Sequence, residues 1–194
     1  MGSILNEIYN YIMSLINSSV IFGPILACLL IFLESVFPVL PLFVFITIIF
    51  IAYGYFWGYI ISYVLTCLGC FFAFYLCRKL LKNFFEKKIR KNNMFDKFMK
   101  KIDKMSLSNI VLLIAIPFTP QFVINIGAAL SKIGFKKYML SVLIGKLFLV
   151  AFWGFIGTSF VESLKNPKIM IVIAIMLIIS YLISKLVNKK FNLE

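Results

Sequence analysis

Two prolines spaced three residues apart occur twice inside strongly apolar sequence, as Pro38-Val39-Leu40-Pro41 and as Pro117-Phe118-Thr119-Pro120. Each pair is followed by an apolar stretch and then a glycine-aromatic pair, Gly58-Tyr59 in the first copy and Gly134-Phe135 in the second. A further glycine closes each copy at the same spacing, Gly69 and Gly145. Proline lacks a backbone donor and clashes with the preceding helical turn. Two prolines in one apolar segment therefore oppose an uninterrupted spanning helix. In lipid, broken backbone survives only where it is buried in protein or lines a wet cavity. Paired broken segments in corresponding halves point to a transporter's binding site.

The surrounding composition is that of a membrane protein. Of 194 residues, 62% are hydrophobic, and the mean hydropathy is +1.02. The first ten residues carry Glu7 and no Lys or Arg, so no cleavable signal peptide is expected. The formal net charge is +13, but 11 of the 20 basic residues fall in 78–104, beside apolar spans. That is the pattern of the positive-inside rule rather than of nucleic-acid binding, for which no motif is present.

One integral membrane domain, 1–194, is expected. Residues 4–17 mix apolar and polar residues and predict an amphipathic helix on or entering the membrane. The first repeat covers 20–77: a short apolar segment, a re-entrant hairpin over 35–54, and a span over 56–77. Residues 78–105 read as a basic amphipathic segment on an anionic membrane surface, or as a partner-binding arm. The second repeat covers 107–160, with its broken segment at 107–131 and a span at 135–160. A last transmembrane helix is expected over 169–187. Charge places the 78–104 segment, the Lys132–Lys137 turn and the C-terminus in the cytoplasm. The two broken segments then enter from opposite sides. The expected fold is all-α and polytopic, with two opposed re-entrant helical hairpins in an inverted repeat plus flanking transmembrane helices.

Several polar residues sit where lipid would penalise them. Glu34 is the only acidic residue between Glu7 and Glu86 and lies inside an apolar run. A carboxylate taken out of water is harder to ionise, so Glu34 could exchange a proton. Its bland role is a solvated cap at the interface. Lys146 falls mid-span, where an ammonium needs a cavity or a partner. It could pair with Glu34, meet a phosphate, or snorkel. Arg78 ends a span, and its guanidinium suits phosphate, but it also opens the basic cluster. Gln121 and Asn125, four residues apart, share a helical face after the second proline pair. With Thr119 they could satisfy freed backbone groups or bind a polar head group. Gly69 suits close helix packing.

Cys67 and Cys70 form a C-x-x-C, but Cys28, Cys67 and Cys70 lie in apolar segments, Cys77 ends one, and histidine is absent. Buried cysteines act as small hydrophobes, so neither a metal nor another cofactor is expected. No nucleophile–base pair is visible, which favours a transporter over an enzyme.

Taken together, Glu34-x-x-x-Pro38-x-x-Pro41 resembles the first signature of the DedA superfamily, also called the VTT or SNARE-associated domain family. The run from Gly69 through Tyr75 to Arg78 is similar to its next block. Pro117-Phe118-x-Pro120, Asn125, Gly127 to Ala129, Phe135 and Gly145 resemble its second re-entrant block and the following helix. The resemblance covers roughly residues 20–160. It implies two facing re-entrant hairpins and movement of membrane lipids, phospholipids or polyprenyl phosphates, between leaflets. It also implies that Glu34 is the membrane carboxylate and Arg78 the arginine ending the next helix. Two positions depart from the pattern: Phe43 stands near a second carboxylate of many members, and Ile114 near an arginine. Lys146 is a candidate for the missing cation, on its position alone.

The function expected is thus transport of a phosphate-bearing lipid in a bacterial cytoplasmic membrane, with proton coupling through Glu34 as one form of it. Assembly into a homo-oligomer is compatible with this reading. The alternatives are a small-solute or ion transporter using the same cavity, and a membrane scaffold that recruits partners through its basic arm.

Overall fold

The computed structural model describes residues 22–34, 41–79, 93–164 and 166–191. The expected helix at 4–17, Pro38, and the part of the basic segment in 80–92 lie outside the described residues. Those residues form helices and no strand: α1 Phe22–Glu34, α2 Leu42–Lys79, α3 Asn93–Lys104, α4 Leu107–Ala115, α5 Gln121–Leu130, α6 Phe135–Ser163 and α7 Lys168–Phe191. Among them, α2, α6 and α7 are long and apolar enough to cross a membrane.

Helix α2 is two helices joined by a kink at Gly54, whose φ of 75° and ψ of 173° leave helical geometry. Only glycine adopts such a conformation without a Cβ penalty. The stretch 42–53 is therefore a short arm, and 55–79 is the spanning part. This refines the expected hairpin over 35–54. Residues 42–53 form one helical arm packed against α1, and residues 35–40 of the expected hairpin lie outside the described residues.

The second copy follows the same plan. Short α4 leads to a non-helical stretch at 116–120, then to short α5, then to long α6. Ser106 caps α4 by accepting from the Asn109 N–H, leaving one fewer orphan donor at its start. Proline at 117 and 120 prevents α4 and α5 from fusing. With 9 and 10 residues, each is about 14–15 Å long, roughly half of a ~30 Å hydrocarbon core.

Both short arms lie against α6, and glycine lets them come close. A Cβ on Gly145 would sit 2.7 Å from Ile114 Cβ of α4. A Cβ on Gly154 would run into the Phe50 ring, and one on Gly157 into Thr47 Oγ1. Small residues at such crossings drive helix association in lipid, where dispersion replaces the hydrophobic effect. Two apolar clusters result. One joins Ala27 and Ile31 of α1 to Ile46, Ile49 and Phe50 of the first arm and Val150 of α6. The other joins the end of α2 to α4, α5 and the start of α6 through Phe74, Ile114, Ile124 and Tyr138.

The basic groups gather at one end. The backbone N–H of Lys132 donates to Asp103 of α3, and Lys137 Nζ donates to the Met105 carbonyl. Val187, between Lys185 and Lys189 of α7, packs on the cluster that contains Ile102, Met105 and Ile133. The described end of the 78–105 segment, the Lys132–Lys137 turn and the C-terminal lysines therefore share one face of the bundle. Glu162 is at the other end of α6, where it accepts from the Tyr55 hydroxyl at 3.5 Å.

Candidate functional site: a cavity where the two breaks meet

A cavity of about 160 Å³ lies where both interrupted segments approach α6. Glu34 enters it from the end of α1, and Leu42 and Phe43 from the start of α2. The second break contributes Ile116, Pro117, Phe118 and Thr119, and α5 contributes Gln121. Helix α6 supplies Leu149 and Trp153. Leu149 is the fifteenth of the 29 residues of α6, so the cavity stands at the midpoint of a spanning helix.

The local backbone explains why polar atoms are free there. Ending α4 at Ala115 leaves carbonyls without intrahelical partners. Gln121 Nε2 donates to two of them, Leu113 O at 3.4 Å and Ile114 O at 3.1 Å. Its Oε1 is buried without a hydrogen-bond partner, and so is Thr119 Oγ1. A buried polar group left unpaired is costly, and both of these border the second break. Phe118 has φ 65°, an uncommon conformation for a bulky residue that concentrates at functional sites. Its ring meets Trp153 edge-on at 5.5 Å and Tyr181 of α7 at 6.2 Å, and Phe43 lies 5.8 Å from Trp153.

Lys146 is 1% exposed, three residues before Leu149 on α6. Its positive charge acts on Glu34. The hydroxyls of Tyr59 and Tyr63, stacked with centroids 6.2 Å apart, donate to the Leu147 and Leu143 carbonyls. These two bonds fix the turn of α6 that carries Lys146.

Of the residues expected to act on substrate, Glu34, Thr119 and Gln121 are brought together, with Lys146 electrostatically linked. Arg78 and Asn125 are placed elsewhere. Arg78 donates through Nε to Ala129 O at 3.1 Å and through Nη2 to Ser131 O at 2.8 Å and Ile133 O at 2.9 Å. Its guanidinium also stacks 4.6 Å from the Phe74 ring centroid. A cation at the C-terminus of a helix satisfies orphan carbonyls and complements the dipole. Ala129 is eight residues beyond Gln121, about 12 Å along α5, so this arginine closes the far end of that helix and does not line the cavity. Asn125 is buried, accepting from Tyr138 and donating to Cys70 Sγ at 3.8 Å.

The proline and glycine expectations divide in the same way. Pro41 opens α2, with its carbonyl accepting from Val44 N–H, Pro117 lines the cavity, and Pro120 is the N-cap of α5. Gly69 is buried within α2, and Gly145 seats α4. Sequence reasoning missed Trp153, Phe118 and Tyr138. The available signal for Trp153 was its place four residues from Leu149 on one face of α6.

A family model describing the VTT domain matches residues 37–159. The chain belongs to the VTT-domain family, that of the DedA membrane proteins. The match begins at the first break and ends near the close of α6, so the family region contains nearly all the cavity lining, Glu34 standing just before it. The chain is also similar to the uncharacterized membrane protein YhjE of Bacillus subtilis (strain 168), at 27% identity over 173 residues, covering 89% of this chain and 84% of that protein. No solved structure matches it.

Proposed function

We propose that this VTT-domain protein moves a phospholipid or polyprenyl-phosphate lipid between the leaflets of a cytoplasmic membrane. The head group passes through the cavity between the two breaks while the acyl chains stay in lipid. The observation that carries this reading is the placement of Glu34, Thr119 and Gln121 around one cavity at the midpoint of α6. A spanning helix needs no such polar opening, and a membrane carboxylate is retained where it does work.

In this reading the two interrupted segments are re-entrant hairpins, α1 with 42–53 and α4 with α5, related as an inverted repeat. The half-membrane length of α4 and α5 and their common seat on α6 support it. Broken backbone at membrane depth is tolerated because it lines the cavity. The basic end faces the cytoplasm by the positive-inside rule. Glu34 takes part as a carboxylate whose charge is balanced by Lys146 or by a proton.

The test is reconstitution of the full chain into liposomes with a leaflet-specific assay for labelled lipids. Lipid movement well above that of protein-free vesicles, lost in Glu34→Gln with the protein still folded, is the expected result. Movement of soluble solutes without lipid movement would favour the small-solute reading instead.

A further inference from the structure

We propose that Phe118 closes a lateral mouth of the cavity, on the side of α7, and that the acyl chain of a bilayer lipid enters there when the ring moves aside. Only what passes through the mouth rests on the lipid-transport reading; the mouth itself rests on packing and backbone geometry.

Phe118 stands on a boundary. It lines the cavity beside Trp153, yet it is 46% exposed, and its ring meets Tyr181 of α7 edge-on at 6.2 Å. Tyr181 lies outside the cavity lining. It is the fourteenth of the 24 residues of α7. It is more than half exposed, as are Ile178, Ile179 and Leu182 beside it. Helix α7 is long and apolar enough to span a membrane, so its exposed middle meets hydrocarbon. Leu149, inside the cavity, holds the corresponding middle place on α6. The Phe118 ring thus separates the cavity from lipid at the depth of acyl chains.

Packing holds this closed position against the preference of the backbone. Phe118 has φ 65°, which a residue with a bulky side chain rarely adopts. Such strain persists only where the surroundings over-determine it. Here the surroundings are two aromatic rings, Trp153 at 5.5 Å and Tyr181 at 6.2 Å. Returning φ to negative values relieves the strain and swings the Cβ, carrying the ring off those partners. The next residue adds to the bias. Thr119 Oγ1 is buried without a partner in the closed arrangement, a cost that relaxation of the turn can lift. Pro117 and Pro120 have fixed φ, so the change is confined to the two residues between them. Phe118 therefore has two arrangements, one packed and strained, the other relaxed and unpacked. Two discrete arrangements are what a gate needs.

The occupant follows from the rim. Phe118, Trp153 and Tyr181 present aromatic surface, and the exposed middle of α7 around them is isoleucine and leucine. A polar solute would have to cross hydrocarbon to reach this rim, whereas an acyl chain is already there. A lipid whose chain lies in the mouth can keep its head group in the cavity.

Trp57 and Trp153 are the two tryptophans, so Trp57→Phe leaves Trp153 as a fluorescent reporter at the mouth. The full chain is reconstituted in liposomes whose phospholipids carry bromine near the middle of their acyl chains, where it quenches an indole on contact. Phe118→Ala leaves a gap where the ring was, so quenching of Trp153 should rise about twofold. Tyr181→Ala removes the outer partner without touching the break, and should shift quenching in the same direction. Phe118→Leu, which keeps apolar bulk, should stay closer to the parent than Phe118→Ala. Acrylamide, a water-soluble quencher, should gain nothing in any of these variants, and melting temperatures in micelles verify each fold.

Equal quenching by brominated chains in Phe118→Ala, Tyr181→Ala and the parent would overturn the mouth. A gain for acrylamide in place of the brominated chains would overturn it too, because the cavity would then open to water. A gain for brominated chains in a protein that moves no lipid would uphold the mouth and remove the lipid-transport reading. Lipid movement with quenching unchanged would leave that reading standing without the mouth.

Discussion

Tyr138 donates its hydroxyl proton to Asn125 Oδ1 at 2.8 Å, and both residues are buried. The Tyr138 ring stacks on Phe74 at 4.4 Å, and the Arg78 guanidinium lies over the same Phe74 ring at 4.6 Å. Asn125 also donates to Cys70 Sγ, and Arg78 donates to three backbone carbonyls. The column binds the end of α2 to α5 and α6. Tyr138→Phe keeps the stack and leaves the Asn125 oxygen unpaired. It should lower stability by about 1 kcal/mol, the range for hydrogen bonds between membrane helices, while transport by the folded fraction is unchanged. Thermal unfolding in micelles, beside liposome assays, checks both parts.

Gly145 and Gly134 should respond oppositely to alanine. A Cβ on Gly145 would strike Ile114 Cβ at 2.7 Å, an atom fixed to the α4 backbone. A Cβ on Gly134 meets nothing within 4 Å, and its φ of −66° suits any residue. Gly145→Ala should cost about 1–3 kcal/mol by overpacking. Gly134→Ala should be neutral or stabilise by up to about 1 kcal/mol through the unfolded state. Equal melting temperatures for the two variants would refute the close seat of α4.

Arg78→Lys should be nearly as damaging as Arg78→Ala. An ammonium cannot reproduce the planar fork that reaches the Ala129, Ser131 and Ile133 carbonyls. A loss of about 2 kcal/mol is expected from charge-assisted bonds of this kind. The specific rate per folded molecule should hold. A variant with a normal melting temperature and abolished transport would return Arg78 to a ligand-binding role.

Glu34 and Lys146 should be coupled. Glu34→Gln preserves shape and removes the titration, so transport or its pH dependence should disappear without unfolding. Lys146→Met should also impair transport. The double variant should lose less than the two single losses combined, because neither residue then faces an unmatched charge. Full activity of Glu34→Gln across pH would reduce this carboxylate to a cap.

Orientation can be read from two cysteines placed at opposite ends of α6. In a background with the four native cysteines replaced, Lys136→Cys should be labelled from the cytoplasmic side and Glu162→Cys from outside. Both positions are exposed. The reverse pattern would invert the topology.

The second break, the kink at Gly54 and the spans were legible because their causes are carried by residue type. Proline cannot donate, glycine alone tolerates the Gly54 geometry, and a spanning helix needs a minimum apolar length. Glu34, Thr119 and Gln121 were legible because lipid makes polar residues conspicuous. The partners of Arg78 were not, since its acceptors are backbone carbonyls, which every residue possesses. Trp153 and Tyr138 were hidden for a related reason: an aromatic residue in a membrane span is ordinary, and only the packing makes it a cavity wall or a hydrogen-bond donor. Lys146 lies between these cases. Its burial was foreseeable from mid-span position, but its neighbours were set by which turn of α6 the two tyrosines hold.

The seats for the two arms on α6 are Gly145 for α4 and Gly154 for the first arm of α2. They are nine residues apart, and at about 100° per residue nine residues make two and a half turns. Gly157, which meets Thr47 of the same arm, is about 120° from Gly145, so the arms rest on different sides of α6, and the angle between them is stored as a residue count in a third helix. One residue inserted between the seats would turn one arm by about 100° and raise it by about 1.5 Å relative to the other. Every side chain of the cavity would still be present, and the cavity would be gone.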